Sequence, residues 1–228
     1  MELHGKTAVV TGGAIRVGRA IALALAEAGC NVFIHYGRSA RPAQQTQAEA
    51  AAFGITAHIY SADLADADAT QSIIPAAQAQ FGQVDILINN AAIFPDEDSF
   101  TSTNLALWDK LMTVNLRAPF LLSRAFAAQI PANGQGKIVN INDGRIRRPA
   151  PDHFVYRFSK GGLWQMTEML AQELAPRITV NQVALGAILP PPGANEAYLQ
   201  RIAAQRIPLK RHGSAAIVAA NVPHLLPG

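Results

Sequence analysis

Cysteine and charge are both scarce in this chain. Its 228 residues include one cysteine, Cys30, so no intramolecular disulfide can form, and the composition favours a reducing compartment, the cytoplasm. Charged residues amount to 15%, and the formal net charge is only +3. That surplus is too small for a nucleic-acid-binding protein, and no basic stripe with interleaved aromatic residues occurs. We therefore expect no nucleic-acid partner.

Long apolar runs are absent as well. Half of the residues are hydrophobic, yet no run reaches the ~18 residues that a membrane span needs, and no signal peptide opens the chain. The six histidines show no metal-ligand spacing. These absences predict neither a membrane partner nor a metal site. Because no linker divides the sequence and its length suffices for a full core, we expect one domain over residues 1–228.

Short apolar runs alternate with helical patterns along the whole chain. The runs predict strands at Ala8–Val10, Val32–Tyr36, Ala57–Tyr60, Ile86–Asn89, Lys137–Ile141 and Thr179–Val183. The stretches between them predict helices near Arg16–Ala28, Arg41–Phe53, Ala67–Phe81, Leu105–Gln129 and Phe154–Leu174. The strand runs are almost continuously apolar, as in a parallel sheet that is covered on both faces. The predicted fold class is therefore α/β, a Rossmann-like, doubly wound parallel sheet with helices on both faces.

A glycine-rich segment, Thr11 to Gly18, joins the first predicted strand to the first helix. It contains Gly12, Arg16 and Val17 as well as Gly18. Free backbone N–H groups at such a helix N-terminus, together with the helix dipole, attract an anion such as a phosphate. Arg16 adds a fixed cation at the mouth of this phosphate cradle. The segment departs from the strict G-x-G-x-x-G fingerprint, so an ordinary strand-to-helix turn is the alternative.

The second predicted strand ends without an acidic residue. NAD-dependent enzymes usually place a carboxylate there for the ribose hydroxyl, whereas this chain has His35, Arg38 and Ser39 in the segment His-Tyr-Gly-Arg-Ser. An arginine and a hydroxyl group suit a ribose 2′-phosphate. The predicted cofactor is therefore NADP(H), although Arg38 is also consistent with a solvated turn.

Further cofactor contacts are predicted where the other strands end, because open parallel sheets bind ligands there. Asp63 is suited to accept a hydrogen bond from the adenine amino group, and a helix N-cap is its alternative role. The remaining predicted cofactor contacts are Leu64, Asn89, Ala91, Gly186 and Ile188. For the run that begins at Asn89, a purely structural turn is the alternative. Residues about 187–205 are expected to form the substrate loop.

Tyr156 and Lys160 lie four residues apart in a predicted helix, so their side chains share one face. A free phenol has a pKa near ~10 and is a poor acid at neutral pH. A neighbouring ammonium group stabilises the phenolate, and we expect it to lower that pKa and to make the tyrosine a usable proton donor. An ordinary amphipathic helix face is the alternative interpretation.

With these residues the chain resembles short-chain dehydrogenases/reductases over essentially its whole length. The usual catalytic set of that family is Asn, Ser, Tyr and Lys, and Asn115, Tyr156 and Lys160 match three of its members. The serine position, thirteen residues before the tyrosine, is occupied by Asp143. The usual glycine at the sixth position of the first motif is replaced by Arg16.

These two departures resemble one branch of the family, the pteridine reductases. That branch carries Thr-Gly-x-x-x-Arg-x-Gly, an Asp/Tyr/Lys set, and His-x-x-Arg-Ser after the second strand, as this chain does. It also carries an aromatic residue shortly after Asn-Asn-Ala, which stacks on the pterin ring. Phe94 occupies that place, and a core or lid phenylalanine is the alternative.

The resemblance implies an NADPH-dependent reductase of pterins or dihydropterins, with dihydrofolate as a further candidate substrate. It implies that Tyr156 donates the proton, that Lys160 holds the nicotinamide ribose, and that Asn115 fixes a water. It gives Arg16, Phe94, Asp143 and Tyr156 contacts with the substrate, and Tyr156 and Lys160 contacts with the cofactor. Asp143 is alternatively a simple turn cap. A carbonyl or 3-oxoacyl thioester reductase and a non-catalytic NADP-binding protein are the competing functions.

The resemblance further implies a homo-dimer or homo-tetramer. Family members continue after Ile-Pro-Leu-x-Arg through a helix to a last edge strand. This chain contains Ile207–Arg211 and a helical segment from Ser214, and we expect that last strand to be missing.

Overall fold

A six-stranded parallel sheet forms the centre of the computed structural model, which describes residues 2–190 and 193–226. The strands are β1 (Thr7–Val10), β2 (Asn31–Tyr36), β3 (Ala57–Ser61), β4 (Ile86–Asn89), β5 (Gly136–Asp143) and β6 (Ile178–Leu185). They are arranged in the order β3-β2-β1-β4-β5-β6, with every neighbouring pair parallel. The predicted fold class is therefore confirmed, and each predicted strand lies within one or two residues of an observed one.

The helices between the strands lie on both faces of the sheet. They are α1 (Arg16–Glu27), α2 (Ala40–Ala51), α3 (Ala67–Phe81), α4 (Leu105–Met112), α5 (Ala118–Gln129), α6 (Phe154–Glu173), α7 (Glu196–Arg206) and α8 (Ala215–Asn221). Short 3-10 turns follow at Gly144–Arg147 and Pro223–Leu225. None of the helices in the described residues is long and apolar enough to cross a bilayer.

Two hydrophobic clusters explain why the strands are largely apolar. On one face, Val10 of β1 packs with Ile21 and Leu25 of α1, and α8 closes the same cluster. On the other face, Val9 of β1 packs with α3 and with Phe126 of α5. Successive strand residues point to opposite faces, so a sheet that is covered on both faces favours apolar residues at successive positions.

The order of the strands creates the crevice in which a ligand would bind. The chain runs outward from β1 through β2 to β3, then returns through α3 to β4 on the other side of β1. Connections leave β1 and β4 in opposite directions, which opens a gap at the carboxyl edge of the sheet. The glycine-rich segment after β1 and the Asn89 run after β4 both lie at this gap.

The predicted helix over Leu105–Gln129 is observed between the same two residues, but it is not α-helical throughout. A π-helical segment, Thr113–Arg117, separates α4 from α5. Pro119, near the start of α5, has no N–H to donate to the carbonyl of Asn115 four residues earlier, so regular α-helical bonding fails there. The helical segment expected from Ser214 is confirmed as α8, and Ser214 caps it by accepting from the Ile217 N–H.

Candidate active site

The glycine-rich turn after β1 packs so closely against its neighbours that a side chain at Gly12 or Gly18 would clash. Gly12 has a φ of 62°, and a Cβ there would lie 3.1 Å from the Ala91 Cα. A Cβ on Gly18 would lie 2.1 Å from the Gly12 carbonyl oxygen. The Asn90 side-chain amide donates to the carbonyls of Thr11 (2.8 Å) and Gly12 (3.2 Å) and so braces the turn. Asn90 was not among the predicted site residues.

The N-terminus of α1 is left open to an anion. Its N-cap residue, Ile15, makes no side-chain capping bond, and the first turn contains no acidic residue. The first N–H groups of a helix then lack protein partners and attract negative charge. Arg16 begins the helix with a φ of 55°, a conformation uncommon outside glycine, and its guanidinium donates to the Pro190 carbonyl at 2.8 Å. Arg16 therefore links the phosphate cradle to the loop after β6.

His35 positions the cradle through the backbone. Its ring is 2% exposed, the Nδ1 atom accepts from the Gly12 N–H at 3.2 Å, and Nε2 lies 3.0 Å from the Ala62 carbonyl. Burial lowers the pKa of His35, so the ring is neutral, with Nδ1 as acceptor and Nε2–H as donor. Both ring nitrogens are thus used by the protein itself. The predicted contribution of His35 to cofactor binding is indirect in this geometry, because the side chain shapes the cleft.

A cleft of about 490 Å³ extends from Gly12 over the carboxyl ends of β2 and β3. Its lining includes Arg38, Asp63, Leu64 and Ala91, all predicted cofactor contacts. Ser39 is the N-cap residue of α2, and its side chain makes no capping bond. The structure therefore brings Asp63 and Arg38, the predicted contacts of the adenine and of the 2′-phosphate, to one cleft, and Ser39 directly follows Arg38.

The alternative role of Asp63 as a helix N-cap was wrong. Asp66 is the N-cap of α3, and its side chain accepts from the N–H groups of Asp68 and Ala69. Asp63 instead accepts from the Ala65 N–H at 2.9 Å and lines the cleft.

Asn89 and Ile188 use their side chains for packing. The Asn89 side chain is buried and donates to the Asn140 Oδ1 (2.9 Å) and to the Ser123 hydroxyl (3.3 Å), which supports the structural-turn alternative. Ile188 packs against the core cluster on the α1 face, while Gly186 directly follows β6. The Asn89 Oδ1 atom is buried and accepts no hydrogen bond from the described residues, whereas the Ile188 side chain is only partly buried.

The predicted catalytic residues Asp143, Tyr156 and Lys160 meet at the carboxyl end of β5. The Tyr156 hydroxyl donates to the Asp143 Oδ2 at 3.0 Å, across the start of α6. The other carboxylate oxygen accepts from the Arg145 N–H at 2.8 Å. The buried Lys160 ammonium donates to the Ile141 carbonyl at 2.8 Å. Asp143 thus combines both predicted roles, as a turn cap and as a partner of the tyrosine.

The expectation that Lys160 lowers the Tyr156 pKa was wrong for this arrangement. The pKa of Tyr156 is raised, first because the phenol is buried and then because the Asp143 carboxylate lies beside it. Burial also lowers the pKa of Lys160 to about 8, against the opposing effect of Asp143. Tyr156 is therefore protonated at neutral pH and holds a proton that it can donate, although the raised pKa makes it a weaker acid than a free phenol.

Asn115 clamps the segment after β4 to α6. Its amide nitrogen donates to the Ile93 carbonyl (2.9 Å) and to the Ser159 hydroxyl (3.2 Å), and its amide oxygen accepts from the Ile93 N–H (2.8 Å). Both amide donors are used in this way. The predicted water would therefore have to be held by another atom of this π-helical segment.

Phe94 is an exposed residue beside Tyr156 rather than a core residue. Its ring is 41% exposed, and its centroid lies 4.8 Å from that of Tyr156 in an edge-to-face arrangement. The His153 ring lies 4.4 Å away, and the Arg145 guanidinium is 4.9 Å from the Phe94 centroid. The predicted stacking surface is thus at the site, and Arg145 covers part of it.

Comparison with known proteins identifies the family. The model of the short chain dehydrogenase family matches residues 6–198. The chain belongs to the short-chain dehydrogenase family. A 3-oxoacyl-acyl-carrier-protein reductase FabG of Staphylococcus aureus is 34% identical to it, over 96% of this chain and 90% of that protein.

Two solved short-chain dehydrogenase structures are close in fold and were determined with NADP. FolM alternative dihydrofolate reductase 1 from Brucella canis has a TM-score of 0.90 and 33% identity, covering 98% of this chain and 88% of its own. A short-chain dehydrogenase from Burkholderia cenocepacia has a TM-score of 0.90 and 36% identity, covering 100% of this chain and 93% of its own. The predicted family is therefore confirmed, and the FolM structure fits the pteridine reductase branch.

The start of α6 is held by Asp98, a residue that the sequence motifs do not identify. Asp98, 4% exposed, accepts from the Tyr156 N–H at 2.8 Å and from the Thr103 hydroxyl at 2.7 Å. The N-cap residue of α6, His153, has a φ of 50° and makes no side-chain cap bond. Asp98 therefore caps α6 from a segment 58 residues earlier in the chain. A cap at this distance leaves no local pattern in the sequence by which it could be predicted.

Proposed function

We propose that this short-chain dehydrogenase is an NADPH-dependent reductase of pterins and dihydropterins, dihydrofolate included. The observation that carries the proposal is the 3.0 Å hydrogen bond from the Tyr156 hydroxyl to the Asp143 carboxylate. A carboxylate has about four lone-pair sites, and this one uses two, so it retains acceptors for amino and ring N–H donors. A serine at this position would instead suit polarisation of a carbonyl.

The predicted cofactor, NADP(H), is confirmed by the solved relatives that hold it. In this chain the open N-terminus of α1, the close-packed Gly12 and Gly18, and the cleft lined by Arg38 fit such a dinucleotide. When bound, NADPH supplies a hydride to the carbon of a C=N bond.

The residues of the chain supply the proton and the orientation. Tyr156 donates its hydroxyl proton to the adjacent ring nitrogen, so that C=N becomes CH–NH and the phenolate is left beside Asp143. The buried Lys160 ammonium donates to the Ile141 carbonyl at 2.8 Å, and its role in the proposal is to hold the nicotinamide ribose. Asp143 orients the heterocycle through its N–H donors, and Phe94 provides an aromatic surface for the ring.

The second candidate is a 3-oxoacyl thioester reductase, because the FabG relative is 34% identical over 96% of the chain. Position 143 discriminates the two. We expect Asp143→Ser to abolish pterin turnover, whereas a thioester reductase would keep or gain activity. A third candidate, a non-catalytic NADP-binding protein, would show no dependence on Tyr156.

The test follows NADPH absorbance with dihydrobiopterin, dihydrofolate and an acetoacetyl thioester. For the wild-type protein we expect turnover of the pterins, and for Tyr156→Phe a loss of at least ~100-fold in kcat. Binding of NADPH, measured by its fluorescence, serves as the control and should change little. Turnover of the thioester alone would contradict the proposal.

Further points belong to the same proposal. The catalytic and cofactor residues share one domain. The substrate segment spans residues about 187–205, of which 191 and 192 lie outside the described residues; it includes most of α7, and Arg16 contacts it at Pro190. The protein acts in the cytoplasm on a small-molecule substrate. It assembles as a homo-dimer or homo-tetramer, which is supported by the exposed apolar side chains of Phe120 (44%) and Met169 (60%) beside a cleft between α5 and α6.

A further inference from the structure

We infer that Arg145 makes this site selective for planar heterocycles that carry an acidic substituent. The inference rests on the proposed function, since it concerns the ring surface of Phe94 beside Tyr156. Arg145 stands outside the residues that the family motifs identify.

The backbone of Arg145 is held at both ends. Its N–H donates to the Asp143 Oδ1 at 2.8 Å, and its carbonyl accepts from the Arg157 Nη1 at 2.6 Å. Arg157 is itself fixed, because its guanidinium is paired with the Asp152 carboxylate. The Arg145 side chain therefore starts from a fixed point beside the carboxylate that binds Tyr156.

The guanidinium of Arg145 has no anionic partner within residues 2–190 and 193–226. It is exposed and lies over the Phe94 ring, 4.9 Å from the ring centroid. Its charge also counteracts the rise in the Tyr156 pKa, so the cation faces the proton donor. By contrast, the guanidinium of Arg147 in the same turn lies over Trp164, 5.3 Å from that ring.

A ring that stacks on Phe94 must share or displace this guanidinium. The cation–π contact is weak at an exposed site, so displacement is easy, but it leaves a cation with only water around it. A carboxylate on the same ligand would replace the lost contact with a charge-assisted, bidentate hydrogen bond. A neutral ring offers no such compensation. Arg145 therefore favours a heterocycle with a carboxylate tail.

The experiment compares two substrates that share one ring system, dihydrofolate with its glutamate carboxylates and the uncharged dihydrobiopterin. For Arg145→Gln we expect KM for dihydrofolate to rise about tenfold, the loss of one charge-assisted bond, with less than about a twofold change for dihydrobiopterin. Arg147→Gln is the matched control and should leave both values unchanged. Equal changes for the two substrates, or none, would overturn the inference.

A binding measurement separates this inference from the proposed function. Calorimetric titration of the NADP-loaded protein with 2-naphthoate and with 2-naphthamide needs no turnover. We expect the wild-type protein to prefer the carboxylate and Arg145→Gln to lose that preference, whether or not any pterin is reduced. Equal affinity of the wild-type protein for the two compounds, or a preference that survives the substitution, would refute the role of Arg145.

Discussion

At the scale of single residues, Asp143 uses its two carboxylate oxygens for different purposes. One oxygen accepts from the Arg145 N–H and shapes the turn after β5, while the other accepts from the Tyr156 hydroxyl. The same charge acts on both titrating neighbours. It adds to the rise in the pKa of Tyr156, and it opposes the fall in the pKa of Lys160 that burial causes. Replacing the charge should therefore move the pH dependence of the reaction.

The change that tests this is Asp143→Asn, which keeps an acceptor for Tyr156 and removes the charge. In the wild-type protein we expect activity to fall above a pH of about 8, as Lys160 loses its proton. Without the carboxylate the ammonium is less favoured, so the basic limb should move about one unit lower. The measurement is kcat against pH for both proteins. If the basic limb of the pH profile does not move in Asp143→Asn, then deprotonation of Lys160 is not what causes it.

At the scale of elements, the start of α6 depends on the segment after β4. Asp98 caps the catalytic helix at the Tyr156 N–H, and Asn115 holds Ile93 from the π-helical segment. In the sequence, Phe94 lies between the two residues that these bonds hold, Ile93 and Asp98. The ring surface and the proton donor are therefore positioned by the same two contacts, which neither the helix pattern nor the motif spacing could reveal.

Asp98→Ala should loosen this link. We expect a loss of about 1–2 kcal/mol in the free energy of unfolding, the usual cost of a lost helix cap. We also expect a fall in kcat of about tenfold, because Tyr156 is no longer held in register. Urea unfolding and steady-state kinetics measure the two effects. Asp98→Asn retains an acceptor and should restore most of both, and an Asn variant as impaired as Ala would contradict the capping role.

At the scale of the whole molecule, the crevice at the carboxyl edge is braced by His35, which joins the turn after β1 to the end of β3. The pKa of this histidine is lowered by burial, below an ordinary value of about 6.5. As the pH falls through 6.5, His35 binds a proton in the unfolded chain but not in the folded protein, so the free energy of unfolding decreases. Protonation would also abolish the acceptor for Gly12.

The free energy of unfolding should show this effect in its pH dependence. Between a pH of about 7.5 and one of about 5.5, the free energy of unfolding should fall more steeply in the wild-type protein than in His35→Gln. Glutamine retains a donor and an acceptor but does not titrate in this range. The other histidines are common to both proteins, so their contributions cancel in the comparison. Parallel curves from denaturant unfolding would show that His35 is not buried in its neutral form.

The elements that could be predicted from sequence are those set by local pattern. Continuously apolar runs located all six strands, and β4 and α3 were predicted at their observed ends. The motif spacing also located Asp143, Tyr156 and Lys160, because β5 and α6 bring positions 143 and 156 together. Both ends of the helix over Leu105–Gln129 were predicted, but its π-helical segment was not, because apolar periodicity carries no information about the missing N–H of Pro119.

Local sequence patterns predicted the fold class, the glycine turn and the convergence of Asp143, Tyr156 and Lys160, since periodicity, glycine and short spacings are local properties. The electrostatics and the contacts between distant segments depend on the folded chain. The raised pKa of Tyr156 comes from burial and from the Asp143 charge, neither of which a helical spacing contains. The bonds of Asp98, His35 and Arg145 join segments that only folding brings together, and their roles follow from distances in space.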